Sequence, residues 1–130
     1  MDEKDTKILE MLRTNSRIKN TDIARSIGLT EGAIRARITN LLRTGAIRRF
    51  TIETFAVGVE GLILVRSEAG RSKEVVSKLR GFSDTVFETS GEFDAAVNIK
   101  ASDVDQLNSL VDKIRDIHGI VSTTTLIRMK

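Results

Sequence analysis

The sequence contains no cysteine, tryptophan or tyrosine, and a single histidine among its 130 residues. Without cysteine there is no disulfide framework and no thiolate nucleophile. One histidine and no cysteine also argue against a structural zinc site and against a repressor that senses metal through clustered ligands. His118 stands near the predicted end of a helix, where a favourable interaction with the helix dipole accounts for it. We therefore predict no metal, no cofactor and no catalytic residue.

Long apolar runs are also missing. No stretch of about 18 apolar residues is present, so we expect no membrane span and no membrane partner. The opening residues, MDEKDTK, are charged and lack the apolar segment of a secretory signal. The share of hydrophobic residues, 40%, and of charged residues, 30%, is that of a folded globular protein. A cytoplasmic protein is the expectation.

Charge is unevenly distributed along the chain. Residues 1–53 contain 11 Lys/Arg and 7 Asp/Glu, a net charge of +4, whereas residues 54–130 contain 10 and 11, a net charge of −1. This asymmetry favours two units, the first of which meets a polyanion.

Three short helices are predicted in the basic half. An apolar stripe at helical spacing places the first helix within residues 1–15. The second, in "NTDIARSIGLT", has Asn20 or Thr21 as its N-cap and ends at Gly28 in the left-handed conformation. Thr30 caps the third helix. Two helices joined by a three-residue turn that contains glycine form a helix-turn-helix.

The third helix has one apolar face and one face of small residues. Ile34, Ile38, Leu41 and Leu42 are predicted to be buried, and arginines flank the opposite face. Such a helix can enter a DNA major groove, where its flanks reach phosphates or base edges. The helix therefore predicts binding to double-stranded DNA.

The segment "AIRRFTIE" follows Gly45 and predicts a strand that carries two arginines to the DNA backbone, as a wing does. Among the arginines, Arg35 is the candidate for a base edge and the others for phosphates. The predicted DNA-binding residues are Asn20, Thr21, Thr30, Glu31, Gly32, Arg35, Arg37, Asn40, Arg43, Arg48 and Arg49.

The second half follows the order β-α-β-β-α-β, which is typical of a ferredoxin-like fold. The strands are "GLILVRSE", "TVFETS", "FDAAVNIKA" and "IVSTTTLIRM". The helices are "SKEVVSKLRGF" and "SDVDQLNSLVDKIRDIHG", the latter capped by Ser102 with Val104 on its buried stripe. Two helices cover only one face of such a sheet. Because the first strand is apolar on both faces, we expect a homodimer that covers the other face.

These segments together resemble the Lrp/AsnC, or feast/famine, family of prokaryotic transcription regulators. The motifs are the N-terminal "D-x-x-D-x-x-IL-x-x-L", then "DIARSIGLT", "IRARI", "L-x-x-TGAI", "GEFD" and "GIVSTTT". The resemblance implies an α+β chain with a winged helix-turn-helix domain at residues 1–52 and a linker at residues 53–60. A ferredoxin-like, ACT-like ligand-sensing and oligomerisation domain follows at residues 61–130.

The resemblance also implies an amino-acid effector site between dimers, formed by the "GEFD" turn and the start of the final strand. Gly91 leaves a backbone that a carboxylate can approach, and Asp94 offers a charge to an α-ammonium group. Threonines on one face of the last strand present hydroxyls. The predicted effector-binding residues are Gly91, Glu92, Asp94, Thr123 and Thr125.

Further expectations concern the effector and the assembly. Glu88 and Glu92 add acids near the turn, which favours a basic effector, lysine or arginine. The family implies dimers that join into tetramers or octamers. Two-fold symmetry predicts a palindromic operator with half-sites one helical turn, or a multiple, apart. Genes of amino-acid metabolism are the expected targets.

Other functions fit the residues less well. An RNA-recognition module stacks bases on aromatic residues of its central strands, and those strands here show Ala, Val, Asn, Ile and Lys. A hydrolase needs a nucleophile with a base, or paired carboxylates in separate environments. The alternative that stays open is a stand-alone amino-acid-binding or interaction module whose basic helix contacts another protein.

Overall fold

The computed structural model describes residues 1–55 and 57–129, so Ala56 of the predicted linker and the final Lys130 lie outside it. It divides into two compact units, Met1–Glu53 and Thr54–Lys130. Each unit has an apolar core of its own. Among the described residues, no helix combines the length and apolar character needed to cross a bilayer.

Three helices build the first unit: α1 (Glu3–Thr14), α2 (Asn20–Ile27) and α3 (Glu31–Arg43). α1 begins with a capping box, in which the Asp2 and Asp5 side chains each accept a hydrogen bond from the other's backbone N–H. Each helix contributes one fully buried isoleucine to the core; these are Ile8, Ile23 and Ile34. This core fixes which face of α3 is left exposed.

The start of α2 differs from the prediction. Asn20 is already part of the helix, and Lys19 is the N-cap, without a side-chain hydrogen bond. Its carbonyl accepts the N–H groups of Asp22 and Ile23, so backbone atoms alone make the cap. Neither Asn20 nor Thr21 is therefore the N-cap. The predicted end is confirmed, since Gly28 is left-handed with φ +82°.

Two other predictions for the first unit are wrong. Leu42 is 42% exposed, because it lies about 80° around the helix from Ile34 and misses the core. The predicted wing strand is also missing, since none of residues 46–55 is in a strand. A strand needs a neighbour for its N–H and C=O groups, and every strand described here pairs within the second unit.

The second unit contains a four-stranded antiparallel sheet and two helices. The elements are β1 (Val59–Ser67), α4 (Ser72–Leu79), β2 (Val86–Glu88), β3 (Ala95–Ala101), α5 (Val104–Arg115) and β4 (Ile120–Ile127). The strand order is β2-β3-β1-β4, with β1 antiparallel to both neighbours. The predicted ferredoxin-like fold is confirmed.

One face of this sheet packs against α4 and α5. Ile63 of β1 and Val97 of β3 are directly opposite each other and fully buried beneath the helices. A Cβ at Gly61 would lie 3.3 Å from the Leu107 side chain, so this glycine allows α5 to approach β1 closely. α5 begins one residue later than predicted, because Asp103, not Ser102, accepts the Gln106 N–H at 2.7 Å. Val104 then lies at the helix start, 47% exposed.

The other face of the sheet, here called the open face, lies opposite α4 and α5, the two helices described in this unit. Strand register places Leu62 and Leu64 of β1 on it, beside Leu126 of β4 and Phe87 of β2. Leu126 is 49% and Phe87 59% exposed. At one end of this face, the carboxylate of Glu60 accepts hydrogen bonds from Asn98 at 2.8 Å and Arg128 at 3.2 Å. The open face is thus apolar in the middle and polar at one end.

Candidate DNA-binding and effector-binding surfaces

The exposed face of α3 is fixed by a cap and a core. The Thr30 hydroxyl accepts the Ala33 N–H at 3.2 Å, as predicted. Ile34 and Leu41 anchor the opposite face in the core of the first unit. Along the outer face, the exposed side chains are small or polar; they are Gly32, Ala36, Thr39 and Asn40. This surface allows the helix backbone to approach a ligand closely.

Two of the predicted DNA-binding arginines have contacts along the helix. Arg35 donates to both carboxylate oxygens of Glu31, at 2.5 and 2.7 Å. Arg43 donates to Asn40 Oδ1 at 2.6 Å. Both guanidinium groups belong to exposed residues and stay on the helix surface.

Arg37 has a different environment from the other arginines of α3. Its Nη1 lies 2.7 and 2.9 Å from the two Asp2 carboxylate oxygens and 3.1 Å from Asp5 Oδ1. The hydrogen bond from Arg37 lowers the pKa of Asp2 from 3.8 to about 2, and the two carboxylates raise the pKa of Arg37 above its ordinary value. Arg37 therefore ties α3 to the start of α1, and a phosphate would have to compete with two carboxylates for it.

Replacing Arg37 by glutamine is expected to destabilise the first unit in a pH-dependent way. A carboxyl whose pKa is lowered in the fold stabilises it above the unfolded value, 3.8, and loses that contribution as the pH falls through about 2. The difference in free energy of unfolding between wild type and Arg37→Gln should therefore shrink between pH 4 and pH 2. Denaturant unfolding at several pH values measures it. Lys7→Gln, which removes the cation of an exposed pair with Glu3, is the control. A difference that stays constant in acid would contradict the assignment.

A groove beside the C-terminal end of α1 adds cations that the sequence pattern did not identify. It has a volume of about 710 Å³, and its lining includes the apolar residues Leu12 and Ile47. Arg13 and Arg17 also line it, together with the predicted Arg48 and Arg49. The pairing of these segments is a tertiary contact, so no local sequence signal could have joined them.

Two other predicted DNA-binding residues lie at the start of α2. Thr21 is exposed, and Asn20 is half-buried. Both belong to the first turn of the helix that precedes α3. Asn20 and Thr21 therefore belong to the same unit as α3, and neither of them caps α2.

In the second unit, the "GEFD" turn is tied to the end of β1. The Asp94 N–H donates to the Val65 carbonyl at 2.8 Å, and Asp94 Oδ2 accepts the Ser67 N–H, also at 2.8 Å. Gly91 has φ +109° and open space where a Cβ would stand, so the turn's backbone is approachable there, as predicted.

Glu92 is paired with a cation that the sequence argument left out. Its Oε1 lies 2.7 Å from Arg66 Nη2, and the same guanidinium lies 5.6 Å from the centre of the Phe93 ring. Arg66 offsets the charge of Glu92, so the local excess of acid is smaller than a count along the chain indicates. The argument for a basic effector is correspondingly weaker.

The predicted threonines lie at the same end of the sheet as the turn. Thr123 and Thr125 are opposite Val65 and Ile63, which places both side chains on the helix-bearing face. Arg115 Nε donates to Thr123 Oγ1 at 2.9 Å. The turn and the last strand thus flank β1 from opposite sides. Within one protomer, the Thr123 hydroxyl contacts Arg115, whereas the Asp94 carboxylate contacts Ser67.

Comparisons with known proteins match both units. An AsnC-type helix-turn-helix domain matches residues 1–42, and an Lrp/AsnC ligand binding domain matches residues 61–130. The HTH-type transcriptional regulator LysM of Saccharolobus solfataricus is 35% identical, over 100% of this chain and 94% of the relative.

Two solved structures are similar over the whole chain. Escherichia coli AsnC has 25% identity and a TM-score of 0.72, with 93% of its chain covered. A transcriptional regulator from Neisseria meningitidis, solved in complex with L-Met, has 21% identity and a TM-score of 0.74, with 90% of its chain covered.

Proposed function

Because this chain belongs to the Lrp/AsnC family of transcriptional regulators, we propose that it binds a palindromic operator as a homodimer and responds to an amino-acid effector. The observation that carries the DNA part is the outer face of α3. It combines small exposed residues with arginines at both ends, and the core holds it in place. As a DNA-binding transcriptional regulator, it is proposed to act in the cytoplasm, where the genome lies, on genes of amino-acid metabolism.

The open face supports the dimer. Leucines and Phe87 form an apolar surface on the face opposite α4 and α5, and such surfaces mark interaction sites. A two-fold axis through this face would bring it against its own copy. The hydrogen bond from Asn98, together with Arg128, keeps the pKa of Glu60 below its ordinary value, so the polar end is satisfied before a partner arrives. Larger assemblies, tetramers or octamers, are part of this proposal.

The "GEFD" turn supports the effector part. Its exposed glycine and hydrogen-bonded Asp94 suit an amino acid's carboxylate and ammonium groups. The complex of the Neisseria meningitidis regulator with L-Met shows an amino acid on a protein of the same fold. Gly91, Glu92, Asp94, Thr123 and Thr125 are the proposed contacts, with lysine or arginine as the effector.

Selection from a pool of random duplexes, with and without amino acids, tests the function. Enrichment of palindromic sequences supports it, and an amino acid that changes the enrichment supports the effector. No enrichment under either condition would favour a stand-alone amino-acid-binding or interaction module instead.

Arg43→Ala should weaken binding to enriched and random duplexes alike. It should also reduce the slope of log affinity against log salt concentration by about one unit, because one phosphate contact is lost. Gel shifts at several salt concentrations measure the slope. Arg80→Ala removes an exposed arginine of the second unit and should leave the slope unchanged. Equal slopes for wild type and Arg43→Ala would remove Arg43 from the contact set.

A further inference from the structure

One acid interrupts the basic surface of α3. Glu31 is the single carboxylate among residues 29–50, which contain five arginines. It lies in the first turn of α3 and forms two hydrogen bonds with Arg35, one turn further along. The Glu31 side chain is 35% exposed and that of Arg35 67% exposed. The pair is therefore held together in the free protein and open to a ligand.

This acid is costly on a surface that meets phosphates. It cancels one positive charge, and its two oxygens take up donors of the arginine best placed for a base edge. A pair of this kind can also stabilise a helix N-terminus by itself, and α1 has one in its first turn, between Glu3 and Lys7, which provides the comparison. The two pairs share spacing and order, but only Glu31 faces the predicted DNA-binding surface.

We propose that Glu31 and Arg35 read the operator as one unit, in which Glu31 is a specificity-determining residue. The inference rests on the proposed DNA-binding function and names the bases that it reads. A guanidinium donates in a fork to guanine O6 and N7, and a carboxylate accepts from the cytosine N4 amino group. In the free protein, Arg35 Nη2 donates to both Glu31 carboxylate oxygens. A site that presents a guanine and a cytosine amino group together satisfies both at once.

DNA without these groups is disfavoured by the same pair. Either Arg35 stays on Glu31 and contributes little, or it leaves and the carboxylate faces the phosphates without its cation. Exposed pairs of this kind are weak, so the correct base edges can separate them. The neighbouring Gly32, which has open space around its Cβ position, leaves room for the bases to approach. We expect each half-site to require a G·C pair at the position that the start of α3 contacts.

The test compares wild type with Glu31→Gln and the matched control Glu3→Gln, both as full chains. Glutamine keeps the length of the side chain and removes its charge. After selection from random duplexes, wild type should enrich a G·C pair at one fixed position of each half-site. Glu31→Gln should bind random duplex about tenfold more tightly and discriminate about tenfold less at that position. Glu3→Gln should match wild type in both measurements, and circular dichroism confirms that all three proteins are folded.

Two results would overturn the inference and can be told apart. If Glu31→Gln keeps the base preference and binds random duplex no more tightly than Glu3→Gln, the acid serves the helix alone, and the proposed function stands. If wild type enriches no sequence, the proposed DNA-binding function fails and the inference fails with it.

Discussion

Leu64→Glu is expected to convert the proposed dimer into monomers and to weaken operator binding by about 10²- to 10⁴-fold, because the two half-sites are then no longer bound by one linked pair of subunits. Leu64 lies in the middle of the open face, half-buried and opposite Ala96 and Thr124. In a two-fold interface, the introduced carboxylate lies near the same carboxylate of the second subunit, and both lose their hydration when the subunits associate. Light scattering at micromolar concentration measures the mass, and gel shifts on a selected duplex measure the affinity.

The control for this experiment is Val121→Glu. Val121 is 65% exposed and lies where the register of β4 with β1 shifts, away from the middle of the open face. It introduces the same charge into the same sheet. A wild type that is monomeric at micromolar concentration would contradict the dimer outright. Dissociation by Val121→Glu but not by Leu64→Glu would place the interface elsewhere.

Local chemistry made much of this fold predictable. Gly28 ends α2 and Thr30 caps the start of α3, and each interacts only with residues close to it in the chain. In β3, Ala95, Val97 and Ile99 share the buried face, because side chains alternate across a strand whatever surrounds it. Motifs that depend on three or four adjacent residues could therefore be located from the sequence.

The errors have a common physical origin in tertiary contacts. Leu42 and Val104 have the right spacing for burial, but each lies beyond the edge of its core. The ion pair of Arg37 is a further contact that the sequence pattern did not show, since its partners Asp2 and Asp5 lie 35 and 32 residues earlier in the chain. Arg66 offsets Glu92 in the same way, across 26 residues. Pairing at such distances follows from the packing of elements, which the spacing of residues along the chain does not encode.

Asp94→Asn is expected to weaken effector binding by about 10- to 100-fold, the usual size of one charge-assisted hydrogen bond. Asparagine keeps an oxygen that can accept the Ser67 N–H, so the turn should keep its backbone contact with β1. What is lost is the negative charge offered to the α-ammonium group. Calorimetry with the twenty amino acids identifies the effector on wild type, and the same titration on Asp94→Asn gives the loss.

The control is Asp105→Asn, an exposed acid in the first turn of α5, which should bind the effector like wild type. Asp94→Ala combined with Thr125→Ala tests the two sides of the proposed site together and should abolish binding. Because Arg66 offsets Glu92 and Asp94 is assigned to the α-ammonium group, a preference for lysine or arginine has to come from Glu88, so Glu88→Gln should lower affinity only for a basic effector. Binding that survives both Asp94 variants, or a wild type that binds none of the twenty, would contradict this site.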